Sequence, residues 1–409
     1  MKAIAGVTLI DGLGSKPISR AVIIVENDKI VMVGHENEIQ IPDGIEVIHL
    51  DGMTVLPGLI DAHIHLLGQR TMNPMDLVFA SDGLRAARAV ADLRKHIESG
   101  VTTVRECGSR TALAMKQALA EGAILGPRVM PSGHMIIRTG GSDDIHAMPL
   151  EWAQRAGTFC PRLADGADDC RKAVREQLRD GADFIKTVIT GAITTQAASR
   201  PDILEWSPAE LSAIVDEAHR LGVRVAVHAH AAAGIKTATE AGVDSIEHGS
   251  GLNEECCELM VKRGTWLVPT LFVSHRLIKY GAEFGTPDWV MKKVTENLDN
   301  KFKFMQLAIE SGVKIAMGTD ATGSGLSPAG KSAEELELMV EAGMSPMEAI
   351  RVSTSAAAAC LGIEQEVGSI EPGKQADLIA VGEDPLLNIK SLQDVVWVMQ
   401  RGQVVVDRL

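Results

Sequence analysis

With 409 residues, 45% apolar and 23% charged, the chain can bury one large core plus an accessory unit. It has no apolar run approaching the roughly 18 residues that would span a bilayer. A formal net charge of −14 repels phosphate backbones and leaves no basic stripe, which excludes the usual nucleic-acid binder. Aromatics are only 3%, and Tyr280 is the sole tyrosine, so acid–base roles near neutral pH fall to histidine.

The opening segment MKAIAGVTLIDGLGSK runs from a short apolar stretch into an Asp-Gly turn with no small-residue cleavage site, so a cytoplasmic location is expected. Short strands follow, AVIIVEN, IVMVG and GIEVIHL, each cut by turn residues. From residue 58 to 366 the texture changes to β-branched runs alternating with helical stretches. Eight strands can be read there: LIDAHIH, VTTVRE, RVMPSGH, DFIKTV, VRVAVHAH, DSIEHG, TWLVPT and VKIAMGTD. Eight such units predict an α/β fold, a (β/α)8 TIM barrel. GLRAARAVADLRKHIESG at 83–100 has apolar spacing of three and four and ends at Gly100, as an outer barrel helix would. The Gly/Ser-rich stretch 318–332 reads as a long active-site loop. After residue 366 strand texture returns, so segments 1–57 and 367–409 are expected to pair into a small composite β-sandwich beside the 58–366 barrel. Cysteines 107, 160, 170, 256, 257 and 360 form no C-x-x-C pair and read as reduced core thiols.

His63-Ile64-His65 ends the first barrel strand. Side chains at i and i+2 share a face, so both imidazoles can grip one metal, although an H-x-H pair alone is also consistent with two incidental histidines. Lys186 lies in an apolar run, where a lysine must be neutral or paired. A neutral amine can take up carbon dioxide as a carbamate that bridges two cations; the bland alternative is a nearby carboxylate partner. His228 and His248 close two further strands. His230 shares the face of His228 or lies just beyond the strand end, and the reading preferred here makes His228 a ligand and His230 a donor to the substrate carbonyl. Asp320 follows VKIAMGT at the same rim, placed to hold metal and move protons. Barrel active sites lie at that rim, and the combination is improbable by chance.

The motifs PGLIDAHIHL at 57–66, VAVHAH at 225–230, SIEHG at 245–249, MGTDA at 317–321 and GSIEPGKQADLIAV at 368–381 resemble the amidohydrolase superfamily over essentially the whole chain. The similarity is greatest to its imidazolonepropionase-related branch, with prolidase-like and Xaa-Arg/Lys dipeptidases and ochratoxin-type amidases. The resemblance implies two divalent metal ions, zinc by default. His63, His65 and Asp320 would hold the more buried ion, His228 and His248 the other, and carbamylated Lys186 would bridge them. It implies hydrolysis of an amide or peptide C–N bond in a small dipeptide or N-acyl amino acid-like substrate, by a metal-bridged hydroxide with Asp320 as general base and acid. A homo-oligomer with no membrane partner is expected. The peptidases of this branch read TGGH after the third strand, whereas Thr139-Gly140-Gly141 is followed here by Ser142. Substrate recognition could instead use Ser142 with His134 and Arg138, or His275 and Arg276. Two other readings compete: a deaminase or imidazolone-type ring hydrolase, which would lack the bridging lysine, and a non-catalytic dihydropyrimidinase-like assembly protein, which would have lost its ligands.

Overall fold

The computed structural model describes all residues except 72–74, 145, 147, 154–160, 195–199 and 299–300. The strands expected at both ends of the chain share one eight-stranded hydrogen-bonded sheet. Its order is Gln403–Asp407, Val395–Gln400, Leu378–Val381, Thr54–Pro57, Lys2–Leu9, Ile18–Glu26 and Lys29–His35, with Glu46–His49 also pairing to Lys2–Leu9. Alternation along each strand feeds two different cores. Ile4 and Ile23 pack with Leu378 and Trp397, whereas Ala3, Ala5, Val22 and Ile24 belong to a separate apolar cluster.

Between these ends lie the eight expected strands: Leu59–Ile64, Val101–Glu106, Arg128–Pro131, Ile185–Val188, Val225–Ala229, Ser245–His248, Trp266–Val268 and Lys314–Ile315. Within each of their two ladders neighbours pair in parallel, and the first two strands are buried throughout, as befits a sheet covered on both faces. The ladders meet at two seams. Asp183 N donates to Pro131 O at 2.8 Å; on the other side Ala62 N donates to Met317 O at 2.9 Å and Asp320 N to His63 O at 2.7 Å. The second seam depends on Gly318, where an added Cβ would come within 2.5 Å of Val268 and 2.9 Å of the His63 Cβ. The result is a TIM-barrel-type arrangement with the histidine-bearing strand ends on one rim.

Outer helices begin where the chemistry of their first turns dictates. Ser207 and Ser345 each make a capping box with a glutamate three residues on and a proline at the first helical position. The helix expected at 83–100 spans Asp82–Glu98, capped by Ser81, with Ala89, Leu93 and Ile97 buried against the barrel. Ile136–Ile137 and Arg162–Leu163 were not expected. These two short parallel strands sit in the long excursion between the third and fourth barrel strands, where Ile136 pairs with Thr187. Cys107, Cys170, Cys256, Cys257 and Cys360 are buried free thiols, and Cys160 lies outside the described residues. Among the described residues, no helix is long and apolar enough to cross a membrane.

Candidate metal centre

Three non-glycine residues at the rim adopt left-handed backbone: His248 (φ 70°), Thr270 (φ 48°) and Asp320 (φ 59°). Each such residue costs about 1–3 kcal/mol and persists only where surrounding contacts over-determine it. The seam hydrogen bond from Asp320 N to His63 O and the bond from His248 Nδ1 to Thr270 Oγ1, both 2.7 Å, are such contacts.

His63 is oriented from beneath. Its Nδ1 lies 2.7 Å from Glu247 Oε2, and the other Glu247 oxygen accepts from Arg105 at 2.6 Å and from the Ser245 hydroxyl at 2.6 Å. Arg105 is itself held by Ala62 O. A buried charge pair with its lone pairs filled in this way fixes the imidazole and leaves Nε2 facing the cavity. His63 Nε2 is 3.7 Å and His65 Nε2 3.2 Å from Asp320 Oδ1, so these three side chains present one nitrogen, nitrogen and oxygen set within 4.8 Å. His63, Cys107 and Glu247 also cluster, but Glu247 is already occupied by Arg105, Ser245 and His63, so the first trio is the better metal site. Burial lowers the His63 pKa to about 4 and keeps it neutral, as ligation requires. At His65 burial acts the same way but the Asp320 carboxylate outweighs it, so its pKa is raised; the Asp320 pKa falls because these imidazoles overcome its own burial.

The other half of the cluster is drawn together with the first. Ring centroids of His228 and His248 are 4.5 Å apart, those of His63 and His248 5.1 Å, and those of His228 and His230 4.6 Å. Burial and mutual repulsion hold His228 and His248 well below the ordinary histidine pKa. His230 Nδ1 is 2.8 Å from the Ser250 hydroxyl, and burial brings its pKa to about 4. Three atoms of the cluster are left over. Lys186 Nζ, 2% exposed, His228 Nε2 and His65 Nδ1 are buried without a hydrogen-bond partner among the described residues. An unpaired buried amine is costly, and the imidazole and carboxylate donors around this one could hold a metal ion that such a lysine would help to bind as its carbamate.

These residues line a cavity of about 470 Å³ that also includes Ser142, Asp143, Asp144 and His146. Ser142 thus stands where the sequence places it, its amide donating to Glu205 at 2.8 Å. His134 and Arg138, also expected at the substrate, are not among the residues that line the cavity. The His134 amide is tied to Gln177 at 2.7 Å, and Arg138 reaches back to Thr139 O at 3.1 Å. His275 and Arg276 are also outside the wall; Arg276 is held by Leu326 O at 2.6 Å and faces Glu334. Sequence reading missed the Arg105–Glu247 pair and the contribution of Asp143 and His146. The rule that flagged Lys186, a charge inside an apolar strand, applies equally to Arg105 in VTTVRE and Glu247 in DSIEHG.

The amidohydrolase family model matches residues 54–405. Ochratoxinase of Aspergillus niger is 34% identical over 405 aligned residues, covering 94% of this chain and 82% of that protein, and its crystal structure superposes with a TM-score of 0.91 over 99% of this chain and 95% of that one at 30% identity. A Xaa-Pro dipeptidase with methionine bound in its active site is 33% identical, with a TM-score of 0.89 and coverage of 98% and 99%. A prolidase complexed with N-methylphosphonate-L-proline is 29% identical, with a TM-score of 0.92 and 99% of both chains covered.

Proposed function

The chain belongs to the amidohydrolase family, and we propose that it is a binuclear metal-dependent hydrolase of amide or peptide C–N bonds in small substrates. The observation that carries this reading is the buried, unpartnered Lys186 Nζ amid His63, His65, His228, His248 and Asp320, a donor set suited to two divalent ions and in excess of what one needs. His63, His65 and Asp320 would hold one ion, His228 and His248 the second, and Lys186 as its carbamate would join them; imidazole and carboxylate donors suit zinc. When bound, the ions lower the pKa of water toward neutrality and polarise the scissile carbonyl.

The protein's own groups do the rest. Asp320, with its pKa lowered by the flanking imidazoles, is ionised at neutral pH and accepts the proton of the attacking water, then returns it to the leaving nitrogen. In the tautomer in which His230 Nδ1 accepts from Ser250 Oγ, Nε2 carries the ring proton and donates to the carbonyl oxygen as negative charge develops there. The relatives named as an ochratoxinase and a Xaa-Pro dipeptidase support an amide or peptide bond as the one cleaved. Lys186 supports two metals over the one-metal deaminase or ring-hydrolase chemistry, and the retained donors support a catalyst over an assembly protein. We further propose the 1–57/367–409 sandwich and 58–366 barrel as the two structural units, a cytoplasmic location, and a homo-oligomeric state. A panel of dipeptides, N-acyl amino acids and aryl amides offered to zinc-loaded enzyme tests the reaction. Hydrolysis of at least one class that is abolished in Lys186→Ala supports it; no turnover of any class contradicts it.

A further inference from the structure

The helix Leu271–Tyr280, which follows the seventh barrel strand, starts against the usual rule. A serine or threonine just before a helix ordinarily holds extended backbone and turns its hydroxyl onto an amide of the first turn, as Ser207 and Ser345 do for their helices. Thr270 does neither. Its backbone is left-handed (φ 48°, ψ 49°), a strained conformation for a β-branched residue, and among the described residues its side chain makes no capping bond. A carboxylate far away in sequence takes over the cap. Glu335, fully buried in the first turn of the helix Ala333–Glu341, accepts from the amides of Leu271, at 2.8 Å, and Phe272. Those amides are the first two of the helix, where negative charge is favoured.

The Thr270 hydroxyl is thereby released for His248, whose Nδ1 lies 2.7 Å from Oγ1. His248 is itself left-handed at φ 70°, so this bond joins two strained residues at the ends of neighbouring strands. A hydroxyl can donate to an imidazole nitrogen or accept from one. His248 lines the cavity, and with Nδ1 engaged, Nε2 is the nitrogen left to reach an ion there. An Nε2 that ligates needs its lone pair, which puts the ring proton on Nδ1 and makes Thr270 the acceptor. We propose that Thr270 is a positioning residue of the second metal site: with its helix capped by Glu335, it turns its hydroxyl to His248 and fixes the tautomer and ring orientation in which Nε2 binds an ion. This rests on the binuclear reading of the proposed function. The first site has separate support, since Ser332 Oγ donates to Asp61 at 2.7 Å and Asp61 accepts from the amides of His63 at 3.2 Å and Thr319 at 3.1 Å. Loss of the Thr270 hydroxyl should therefore reach one ion and spare the other.

The test compares wild type with Thr270→Val, which removes the hydroxyl at nearly constant shape, and Thr270→Ser, which keeps it. Zinc affinities measured by competition with a chelator should resolve two ions in wild type. In Thr270→Val one affinity should fall about 10- to 100-fold while the other stays within about threefold, and Thr270→Ser should lie close to wild type at both. Nitrogen NMR of His248 in the metal-free protein reads the tautomer without ion or turnover. The proton should sit on Nδ1 in wild type and Thr270→Ser and be shared between the two nitrogens in Thr270→Val. If Thr270→Val fails to fold, the wild-type spectrum and Thr270→Ser decide. A wild-type proton on Nε2, or zinc affinities in Thr270→Val that match wild type or fall together, overturns the proposal. If wild type binds a single ion while His248 carries its proton on Nδ1 and loses that preference in Thr270→Val, the binuclear reading fails and the positioning role stands.

Discussion

The floor of the cavity and its outer wall are built by opposite means. The floor is made of strand ends, where hydrogen bonds across the barrel seam, the Arg105–Glu247 pair beneath His63 and left-handed backbone at His248, Thr270 and Asp320 allow each ligand one orientation. The wall is made of loops, where the Ser142 amide is tied to Glu205 and the Ser142 hydroxyl donates to Asp143. On the proposed function, reaction type would reside in the floor and substrate choice in the wall, so substitutions in the two should differ in kind as well as size.

The largest effect should come from the floor. Asp320→Asn would remove the proposed proton acceptor and ligand oxygen, and kcat should fall about 1,000-fold or more, measured as steady-state turnover of the best panel substrate. An effect below tenfold would mean that the proton moves through another group. Next is the support under the floor. Glu247→Gln leaves the Arg105 guanidinium buried without its counter-charge, which should cost about 3–5 kcal/mol in urea unfolding of the metal-free protein. The same change should weaken metal binding about 10- to 100-fold, since His63 loses the partner that sets its tautomer. Equal stability of Glu247→Gln and wild type would show that the floor is not pre-organised.

That support was legible only in part, and the reason is physical. His63-Ile64-His65 is a strand pattern, readable because side chains alternate, and Lys186 stands out because apolar strands exclude unpaired charge. Arg105 and Glu247 are equally anomalous in their strands, yet each was hidden because its partner is far away in sequence and pairing removes the anomaly only in three dimensions. The wall was less legible still. Loop residues follow no period, and the excursion between Arg128–Pro131 and Ile185–Val188 carries two short strands that no alternation announces. Arg138 and His134 precede Ser142 in the same loop, where sequence position alone does not separate a cavity-lining residue from its neighbours.

Smaller effects separate floor from wall. Ser250→Ala leaves His230 Nδ1 without its hydroxyl partner and should lower kcat by about tenfold while KM changes little, as loss of one hydrogen bond to an orienting histidine implies. An effect confined to KM would move His230 from the reacting carbonyl to ground-state binding. Least affected should be Arg138→Ala, which lies outside the cavity: kcat/KM is expected to change by less than about threefold. A large loss there would restore Arg138 as a substrate contact and break the division between floor and wall.

Metal stoichiometry tests the central claim most directly. Elemental analysis of protein loaded with zinc in bicarbonate buffer and freed of loose metal should give two ions per chain for wild type, and one or fewer for Lys186→Ala, because the unpartnered Lys186 Nζ is the only donor proposed to join the two sites. One ion in the wild type, or two retained in Lys186→Ala, would contradict the binuclear reading.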